Sequence, residues 1–439
     1  MWCGCLRELG SVWVSVGQLG WLGCLRETHF FGHFGGGDID FASLETKVEV
    51  ACCSSKSLRL STLSRQKPVC SLLICFDHFD ALTESSNSNM EVTQIYLKSR
   101  PGPNSPPSEA NFGVRQEIIE VEHETEQVLV KTLYLSVDPA LRCRMNEDTG
   151  VHYLTPWPIN ETIEGLGGIG QVIAAPAISD YQVGDIVVSK NLKWLWQSHF
   201  LINPMELDKV PEDLCQNLPV IFSCLGLIGL TVLLGIQKKG GLKEYQVQDD
   251  KPLTMVVSGA AGACGLLAGQ IGKLEGAQKV IGICGSDEKC KIIVDEFGYD
   301  EAINYKTQNV AEALPKNGVH CYFDNVGGDI SEAVIENMAA KGNVILCGQI
   351  SQYNKDVPYP PPISETMQKN LTEKSITRDR FLVLAYENEF KMGLVTLSQW
   401  LLEGKLKTRE CIIEGIEHTG KAFVDMMKGG NIGKQIVKV

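Results

Sequence analysis

Hydrophobic and polar residues alternate in several short segments after residue 90, which is the pattern of half-buried β-strands. In the segment Gln127–Leu135, the residues Val128, Val130, Thr132 and Tyr134 fall on one face. We therefore predict an all-β lobe in this part of the chain. Two more strands of this lobe are predicted at Gly168–Ala174 and Gly184–Ser189.

A second pattern begins near Pro219, where predicted helices and strands alternate. Val220–Gly235 is an apolar run of helix length, and Thr254–Ser258 is an uninterrupted apolar strand of the kind that parallel sheets bury. This alternation predicts a doubly wound parallel sheet. The tail, Phe390–Val439, is expected to complete the first lobe. Further helices are predicted at Cys264–Leu274 and Asp287–Phe297, and further strands at Lys279–Cys284, Ala302–Tyr305, Val319–Phe323 and Val344–Cys347.

The first 89 residues differ from the rest of the chain. A pentapeptide is repeated at Gly4–Glu8 and Gly23–Glu27, and serine-rich stretches interrupt any period. The uncharged run Leu9–Leu25 is broken by glycine, serine and glutamine, and it falls short of the ~20 apolar residues that a membrane span requires. We expect an unstructured extension or a misassigned start, with Met90 as the natural beginning. A targeting segment is the alternative.

Composition narrows the class of protein. The 439 residues are 44% hydrophobic and carry a net charge of −13, which argues against nucleic acid as the main partner. The 16 cysteines show neither a C-x-x-C pair nor zinc-ligand spacing. They are therefore predicted to be free thiols in a reducing compartment, which favours the cytoplasm.

The sharpest signal is the glycine-rich segment Val257–Gly265, which leaves a predicted buried strand and enters a predicted helix. Ala260, Gly262 and Gly265 occupy the three places of the dinucleotide fingerprint. Gly262 permits close approach of a pyrophosphate, and Gly265 permits the helix to pack close to the strand. The pyrophosphate would bind at the helix N-terminus, where backbone N–H groups and the helix dipole favour anions.

The next strand distinguishes NADP from NAD. An NAD site usually carries an acidic residue at the end of that strand, to bind the ribose 2′-hydroxyl. Here the strand ends in Cys284, Gly285 and Ser286, and Lys289 follows one helical turn later, where it can meet a 2′-phosphate. Asp287 and Glu288 suit the first turn of the next helix. We therefore predict NADPH as the cofactor.

Long sequence strings identify a resemblance. From Met90 onward the chain resembles the zinc-independent branch of the medium-chain dehydrogenase/reductases. The resemblance implies a GroES-like β lobe joined to a Rossmann domain with a doubly wound parallel sheet. The GroES-like substrate domain would comprise residues 90–216 with 390–439, and the Rossmann NADP-binding domain residues 217–389. The strings are Thr132–Gly150, Val256–Gly265, Tyr322–Gly328, Leu346–Pro362 and Gly429–Val437.

The resemblance also implies site residues and a reaction. The reaction is the reduction of the carbon–carbon double bond of α,β-unsaturated ketones, with a lipid enone such as a 15-oxo-prostaglandin as the expected substrate. Substrate contacts would fall on Tyr153, Tyr353, Leu382, Val383 and Leu384. Cofactor contacts would fall on Gly262, Ala263, Cys264, Gly265, Lys289, Tyr305, Asn325, Cys347, Gly348, Gln349, Ile350, Ser351, Gln352, Tyr353, Phe381, Leu382, Val383 and Asn431.

Two segments bear on substrate and metal. Lys193 stands where the family has a substrate-contacting tyrosine, which affects the substrate preference more than the reaction type. Zinc-dependent relatives carry a Gly-His-Glu segment, but the corresponding segment here, Glu164–Gly168, has no histidine. We therefore expect no catalytic metal.

Reduction of an enone places negative charge on the carbonyl oxygen, which a preorganised donor must stabilise. Tyr353 is the candidate donor, and Tyr153 is expected to assist or to gate the pocket. Either ring could instead be a half-buried packing residue. A quinone reductase and a non-enzymatic NADPH-binding trafficking protein are the alternative functions. The sequence leaves monomer and homodimer open and predicts no membrane span.

Overall fold

The computed structural model describes residues 88–121, 126–152, 154–243, 252–358 and 360–439. The prediction for Tyr153 and that for residues 1–87 of the N-terminal extension lie outside these residues, whereas Ser88 and Asn89 belong to the first strand. The first lobe consists of short strands, and most of them carry at least one buried residue. They are β1 (Ser88–Leu97), β2 (Phe112–Val121), β3 (Val128–Ser136), β4 (Glu164–Leu166), β5 (Gly168–Ala174), β6 (Ile186–Ser189), β7 (Lys193–Leu195), β8 (His199–Ile202) and β9 (Leu207–Lys209).

The second lobe alternates strands with helices, as predicted. Its elements, in chain order, are α1 (Pro219–Ser223), α2 (Leu227–Lys239), β10 (Thr254–Ser258), α3 (Ala263–Leu274), β11 (Lys279–Cys284), α4 (Asp287–Phe297), β12 (Glu301–Asn304), α5 (Val310–Ala313), β13 (Val319–Asp324), α6 (Gly328–Glu336), β14 (Met338–Leu346), α7 (Glu365–Glu373), β15 (Thr377–Arg380) and α8 (Phe390–Leu402). The tail adds β16 (Glu410–Glu414), α9 (Thr419–Met427) and β17 (Lys434–Lys438).

The two main sheets differ in strand direction. Six strands form a parallel sheet in the order β12-β11-β10-β13-β14-β15, which confirms the predicted doubly wound arrangement. The other sheet has the order β16-β17-β3-β5-β6-β9, with β8 also paired to β3. Every residue of β10 and β13 is buried, as expected for strands covered on both faces.

Local sequence explains the bounds of α4. The Ser286 side chain caps its N-terminus by accepting a hydrogen bond from Lys289 N at 3.3 Å. Asp287 and Glu288 lie in the first turn, where they complement the helix dipole. Gly298 ends the helix with a left-handed φ of 72°.

The apolar run Val220–Gly235, predicted as one helix, forms two. The chain leaves the helical conformation at Cys224 and re-enters a helix after Gly226, whose backbone is extended. A Cβ on Gly229 would collide with the carbonyl of Cys224, so this glycine allows the backbone to fold back there. By length and composition Pro219–Lys239 could span a membrane, but 78% of its most apolar window is buried inside the protein.

The tail is shared between the lobes. Strands β16 and β17 join the sheet of the first lobe, where Val437 pairs with Leu135 of β3. Helix α8 packs instead on α2, and its Leu394 and Leu397 belong to the core of the second lobe. From the sequence, the tail is assigned to the first lobe from residue 390. The apolar contacts of Phe390–Leu402 lie with the second lobe, because this face of α8 fits the apolar surface of α2.

Candidate cofactor and substrate site

The glycine-rich turn joins β10 to α3. Gly259 has a left-handed φ of 60° and accepts a hydrogen bond from Gly262 N at 2.9 Å. Gly262 is the N-cap of α3; no side chain caps this end, and its first turn carries no acidic residue. Backbone amides at the start of α3 are thus the donors that an anionic pyrophosphate needs. The tight turn is made at Gly259, one residue before the position assigned from the fingerprint.

Gly265 is the point where α3 lies closest to the turn. A Cβ there would collide with the carbonyl oxygen of Gly259 and would lie 2.6 Å from the Cα of Ala260. Both are backbone atoms, which cannot move aside as a flexible side chain can. On the outer side, Tyr299 OH donates to the carbonyl of Gly265 at 2.5 Å. This geometry agrees with the packing role predicted for Gly265.

A loop at the end of β14 faces the same edge of the sheet. The backbone N–H groups of Cys347 and Gly348 both donate to the carbonyl of Asp324 at 3.0 Å. The Gln349 side chain is 1% exposed, and its Oε1 has no hydrogen-bond partner among the described residues. A buried acceptor of this kind requires a donor. The turn, the helix end and this amide together fit a dinucleotide.

Sequence reasoning missed a buried polar network below this loop. Asp324 is fully buried, and its Oδ1 accepts from Tyr322 OH at 2.8 Å and from Gly327 N at 2.9 Å. Asn325 beside it donates from Nδ2 to the carbonyl of Ser258 at 2.8 Å. The network therefore fixes the predicted cofactor residue Asn325 at the end of β10. The signal in the sequence that could have revealed this network was Asp324, a polar residue at the carboxyl end of a buried strand. Ligands bind at this end of the strands in such sheets.

The end of β11 brings three predicted features together. A Cβ on Gly285 would lie 3.0 Å from the Tyr305 hydroxyl, so this ring covers the glycine. Lys289 Nζ donates to the carbonyl of Gly429 at 2.7 Å. Burial lowers the pKa of Lys289 from its ordinary value. A half-buried ammonium group beside a small residue suits a 2′-phosphate. The phosphate oxygens would accept the hydrogen bonds that water accepts from an exposed lysine.

The C-terminal segment closes on the glycine-rich turn from the other lobe. Gly433 N donates to the carbonyl of Ala261 at 2.8 Å, and Gly262 and Gly433 form an isolated parallel bridge. Asn431 Nδ2 donates to the carbonyl of Gly433 at 2.7 Å. Asn431 is thereby held near the turn, although about 170 residues of chain separate the two segments.

Tyr353 lies on the loop after β14, with its ring half-buried. Its hydroxyl accepts a hydrogen bond from Gln349 N at 3.2 Å, and an accepting phenol can still donate its own proton. The next residue, Asn354, accepts from Arg142 Nε at 2.9 Å. The loop of Tyr353 is therefore tied to the first lobe through Arg142, whose side chain is fully buried.

The segment after β15 alternates between the core and the surface. Phe381 and Val383 are 5% exposed and pack in the core of the second lobe. Leu382 is half-buried and Leu384 is 43% exposed. Phe381 and Val383 can thus meet a ligand mainly through their backbone, whereas the side chains of Leu382 and Leu384 remain accessible.

A cavity, partly open to solvent, lies between the first lobe and the start of the second. The described lining does not include Tyr353 or Leu382–Leu384. The lining is mainly apolar and consists of Ser136, Asp138, Leu166, Gly167, Gly168, Val188, Ser189, Leu192, Ile221, Phe222, Leu227 and Ile228.

Two pairs of thiols flank the cofactor residues. A hydrogen bond with the Cys264 thiol, together with burial, holds the pKa of Cys347 well above its usual range. Burial raises the pKa of Cys284 to about 12, and Cys290 lies beside it. Cys347 and Cys284 are therefore predominantly protonated at neutral pH, which makes them weak nucleophiles. In the described ranges, no group of three or more His, Cys, Asp or Glu side chains is placed to hold a metal ion.

Comparison with known proteins gives two family models and several relatives. Residues 93–210 match the model "N-terminal domain of oxidoreductase", and residues 263–395 match the model "Zinc-binding dehydrogenase". An NADP-dependent oxidoreductase of Bacillus subtilis is 38% identical over 351 residues, which cover 79% of this chain and 97% of that protein. Prostaglandin reductase 1 of Rattus norvegicus is 35% identical over 342 residues, covering 76% and 95%.

Solved structures give the same result. CurA of Vibrio vulnificus in complex with NADPH is 32% identical, has a TM-score of 0.69, and is matched over 79% of this chain and 99% of its own. Quinone oxidoreductase of Escherichia coli, at 19% identity and a TM-score of 0.58 over 79% and 100%, shares the fold. The predicted pairing of a GroES-like lobe with a Rossmann domain is confirmed, and the chain belongs to the medium-chain dehydrogenase/reductase family of oxidoreductases.

Proposed function

We propose that this protein reduces the carbon–carbon double bond of α,β-unsaturated ketones. The proposed substrates are 15-oxo-prostaglandins, which would be converted to 13,14-dihydro-15-oxo-prostaglandins. The observation that carries the proposal is the mainly apolar lining of the cavity between the lobes, which suits a hydrocarbon chain. The strings Thr132–Gly150 and Leu346–Pro362, which resemble those of prostaglandin reductase 2, support this choice of substrate.

The cofactor is NADPH, as the sequence predicts. The structure of CurA in complex with NADPH and the similarity to an NADP-dependent oxidoreductase of Bacillus subtilis support the same cofactor. When bound, it supplies the hydride that adds to the double bond. The first turn of α3 would hold the pyrophosphate, and Lys289 the 2′-phosphate. Tyr305 follows β12 and Asn325 follows β13, so both stand at the carboxyl edge of the parallel sheet, where dinucleotides bind.

The protein's part in the reaction is to stabilise charge on the carbonyl oxygen. We propose Tyr353 as the donor, because its ring is held by Gln349 N and by the neighbouring contact of Asn354 with Arg142. A donor that is already oriented needs no reorganisation when negative charge develops on the carbonyl oxygen to which it donates a hydrogen bond. The buried network of Asp324 positions the adjacent loop.

Turnover of NADPH with three classes of compound tests the proposal. Purified protein is mixed with NADPH and a 15-oxo-prostaglandin, a simple aliphatic enone, or a quinone, and the products are identified by mass spectrometry. We expect the saturated ketone from both enones. Oxidation of NADPH by the quinone alone would favour a quinone reductase, and tight NADPH binding without turnover would favour a non-enzymatic binding or trafficking role.

A reducing, cytoplasmic location is also part of the proposal. The nine cysteines in the described part of the chain are free thiols, which is typical of proteins kept in a reducing compartment.

A further inference from the structure

We propose that Arg142 is a positioning residue that orients Tyr353 for the reaction. This inference rests on the proposed function, in which Tyr353 donates a hydrogen bond to the carbonyl oxygen of the substrate. It adds the group in the first lobe that holds the loop after β14, residues 348–356, which we call the donor loop. Arg142 lies on the 3₁₀ helix Pro139–Met145, which follows β3.

The guanidinium group of Arg142 joins three segments that are far apart in the chain. Its Nε donates to Asn354 Oδ1 in the donor loop at 2.9 Å, and its Nη1 donates to Asn146 Oδ1 at 2.7 Å. Its Nη2 donates to the carbonyls of Gly102 at 2.8 Å and Ser105 at 2.9 Å. These four bonds use the rigid fork of N–H donors, which the single ammonium group of a lysine cannot reproduce.

The charge of Arg142 is fully buried, and no carboxylate pairs with it in the described part of the chain. A buried charge ordinarily has an opposite partner, because its removal from water costs free energy. Arg144, two residues later, follows this rule, since its Nη2 lies 3.2 Å from Glu164 Oε1. An apolar side chain of similar volume would fill the space of Arg142 without that cost. The charge is therefore explained by the oxygens that it holds in place.

A second attachment of the donor loop also depends on Arg142. Asp356 N donates to Asn104 Oδ1 at 2.9 Å. Asn104 lies in the turn between Gly102 and Ser105, and the carbonyls of both these residues accept from Arg142. One guanidinium group therefore holds the donor loop directly and also fixes the turn that binds it. Both attachments join the loop to the first lobe.

The other end of the donor loop is attached on the cofactor side. Ile350 N donates to the carbonyl of Asn325, a predicted cofactor residue, at 3.2 Å. Tyr353 lies between this attachment and the contacts with the first lobe. Loss of the bonds of Arg142 would therefore release the end of the loop that carries Tyr353 and leave the cofactor end attached. Catalysis should suffer more than NADPH binding.

The test uses three variants and one control. Arg142→Lys keeps the charge and loses the fork, Asn354→Leu removes only the acceptor in the donor loop, and Asn354→Asp keeps an acceptor there. The control is Arg144→Lys, because Arg144 is buried in the same 3₁₀ helix and bonds Thr155 and Glu164 of the first lobe. We measure kcat and KM with a simple aliphatic enone, Kd for NADPH, the melting temperature, and hydrogen–deuterium exchange of residues 348–356.

We expect Arg142→Lys and Asn354→Leu each to lower kcat about tenfold with little change in Kd for NADPH, because a misplaced donor slows the reaction without releasing the cofactor. Asn354→Asp should retain most of kcat. Adding Asn354→Leu to Arg142→Lys should lower kcat little further, since the two changes remove the same contact. Amide exchange near Asp356 should become faster in Arg142→Lys and stay unchanged in Arg144→Lys.

Full kcat in Arg142→Lys would overturn the inference. So would equal losses of kcat in Arg142→Lys and Arg144→Lys at equal melting temperatures, since that result indicates a general loss of structure. If the wild type reduces no enone, the proposed function itself fails. Hydrogen–deuterium exchange still shows in that case whether Arg142 holds the donor loop, so the two failures are distinguishable.

Discussion

The ammonium group of Lys434 lies 2.6 Å from Oδ1 of Asp138, and the Lys434 side chain is 1% exposed. The same Nζ donates to the carbonyl of Val137 at 2.8 Å. Asp138 Oδ2 accepts from Ser136 Oγ at 2.5 Å. This ion pair ties the C-terminal strand β17 to the bend after β3, which lines the cavity. Strand β17 begins directly after Gly433, the residue that contacts the glycine-rich turn.

Removing Lys434 is expected to destabilise the fold. Lys434→Met leaves the Asp138 carboxylate, which is 14% exposed, without its cation, and the free energy of unfolding should fall by about 3 kcal/mol. Urea unfolding followed by circular dichroism measures this change. The control is Lys438→Met on the same strand, since Lys438 is 49% exposed and pairs with Glu414, so its loss should lower the free energy of unfolding far less. Equal losses in the two variants would contradict a special role for the buried pair.

The second prediction concerns Gly265. Gly265→Ala places a methyl group against the backbone of Gly259 and Ala260, and the turn must open to admit it. We expect a loss of about 1–3 kcal/mol in stability and at least a tenfold higher Kd for NADPH. Gly272→Ala in the same helix is the control, because its methyl group meets the end of the flexible Met255 side chain. Calorimetric titration with NADPH should show little change for the control. Unchanged NADPH affinity in Gly265→Ala would remove this turn from the cofactor site.

Lys289→Ala should weaken NADPH binding by about 1–3 kcal/mol, the range for a charge-assisted hydrogen bond, and leave NADH binding unchanged. NADH lacks the 2′-phosphate that Lys289 is predicted to bind. The matched control is Lys291→Ala, on the same helix but pointing to Asp295. Fluorescence titration gives the Kd values. Equal losses for NADPH and NADH would show that Lys289 holds the loop of Gly429 and not the phosphate.

The lowered pKa of Lys289 gives this contact a pH dependence. Only the ammonium form attracts the phosphate, so NADPH affinity should fall as pH rises through the pKa of Lys289 in the free protein. Because burial lowers that pKa, the fall should begin below the ordinary lysine value of about 10.4. The difference in Kd between wild type and Lys289→Ala should narrow across this range. A difference that stays constant up to about pH 10 would argue against the contact.

The fourth residue tested is Tyr353. Tyr353→Phe removes the proposed donor and also the acceptor for Gln349 N. We expect kcat to fall about tenfold with a smaller change in KM, because the bond strengthens mainly as charge develops on the substrate. Tyr153→Phe should act mainly on KM. Steady-state kinetics with an enone and a thermal melt of each variant separate catalysis from loss of loop structure. Full kcat in Tyr353→Phe with collapse in Tyr153→Phe would reverse the assigned roles.

Much of the second lobe was predictable, because its signals are local. The buried strand Thr254–Ser258 was predicted with the bounds that the structure has, and helix Asp287–Phe297 carries its own cap, its first-turn acids and its terminal glycine. The small residues Gly285 and Ser286 were predictable for the same reason, because the end of a strand and the start of the next helix are neighbours in sequence. The break at Cys224–Gly226 was missed because it depends on a close backbone approach at Gly229, which apolar periodicity does not record.

The sequence by itself determined the dinucleotide turn, the alternation of strands and helices and the family, since each depends on residues a few positions apart. Tertiary structure alone decided which distant residues meet. Asp138 and Lys434 are 296 positions apart, and neither spacing nor charge pattern pairs them. The same holds for Lys193. The sequence shows only that it stands where the family has a tyrosine, whereas the pairing of β4 with β7 places it opposite Leu166. Side chains that meet through folding of distant segments leave no periodic trace in the chain, because their contact depends on the packing of whole elements.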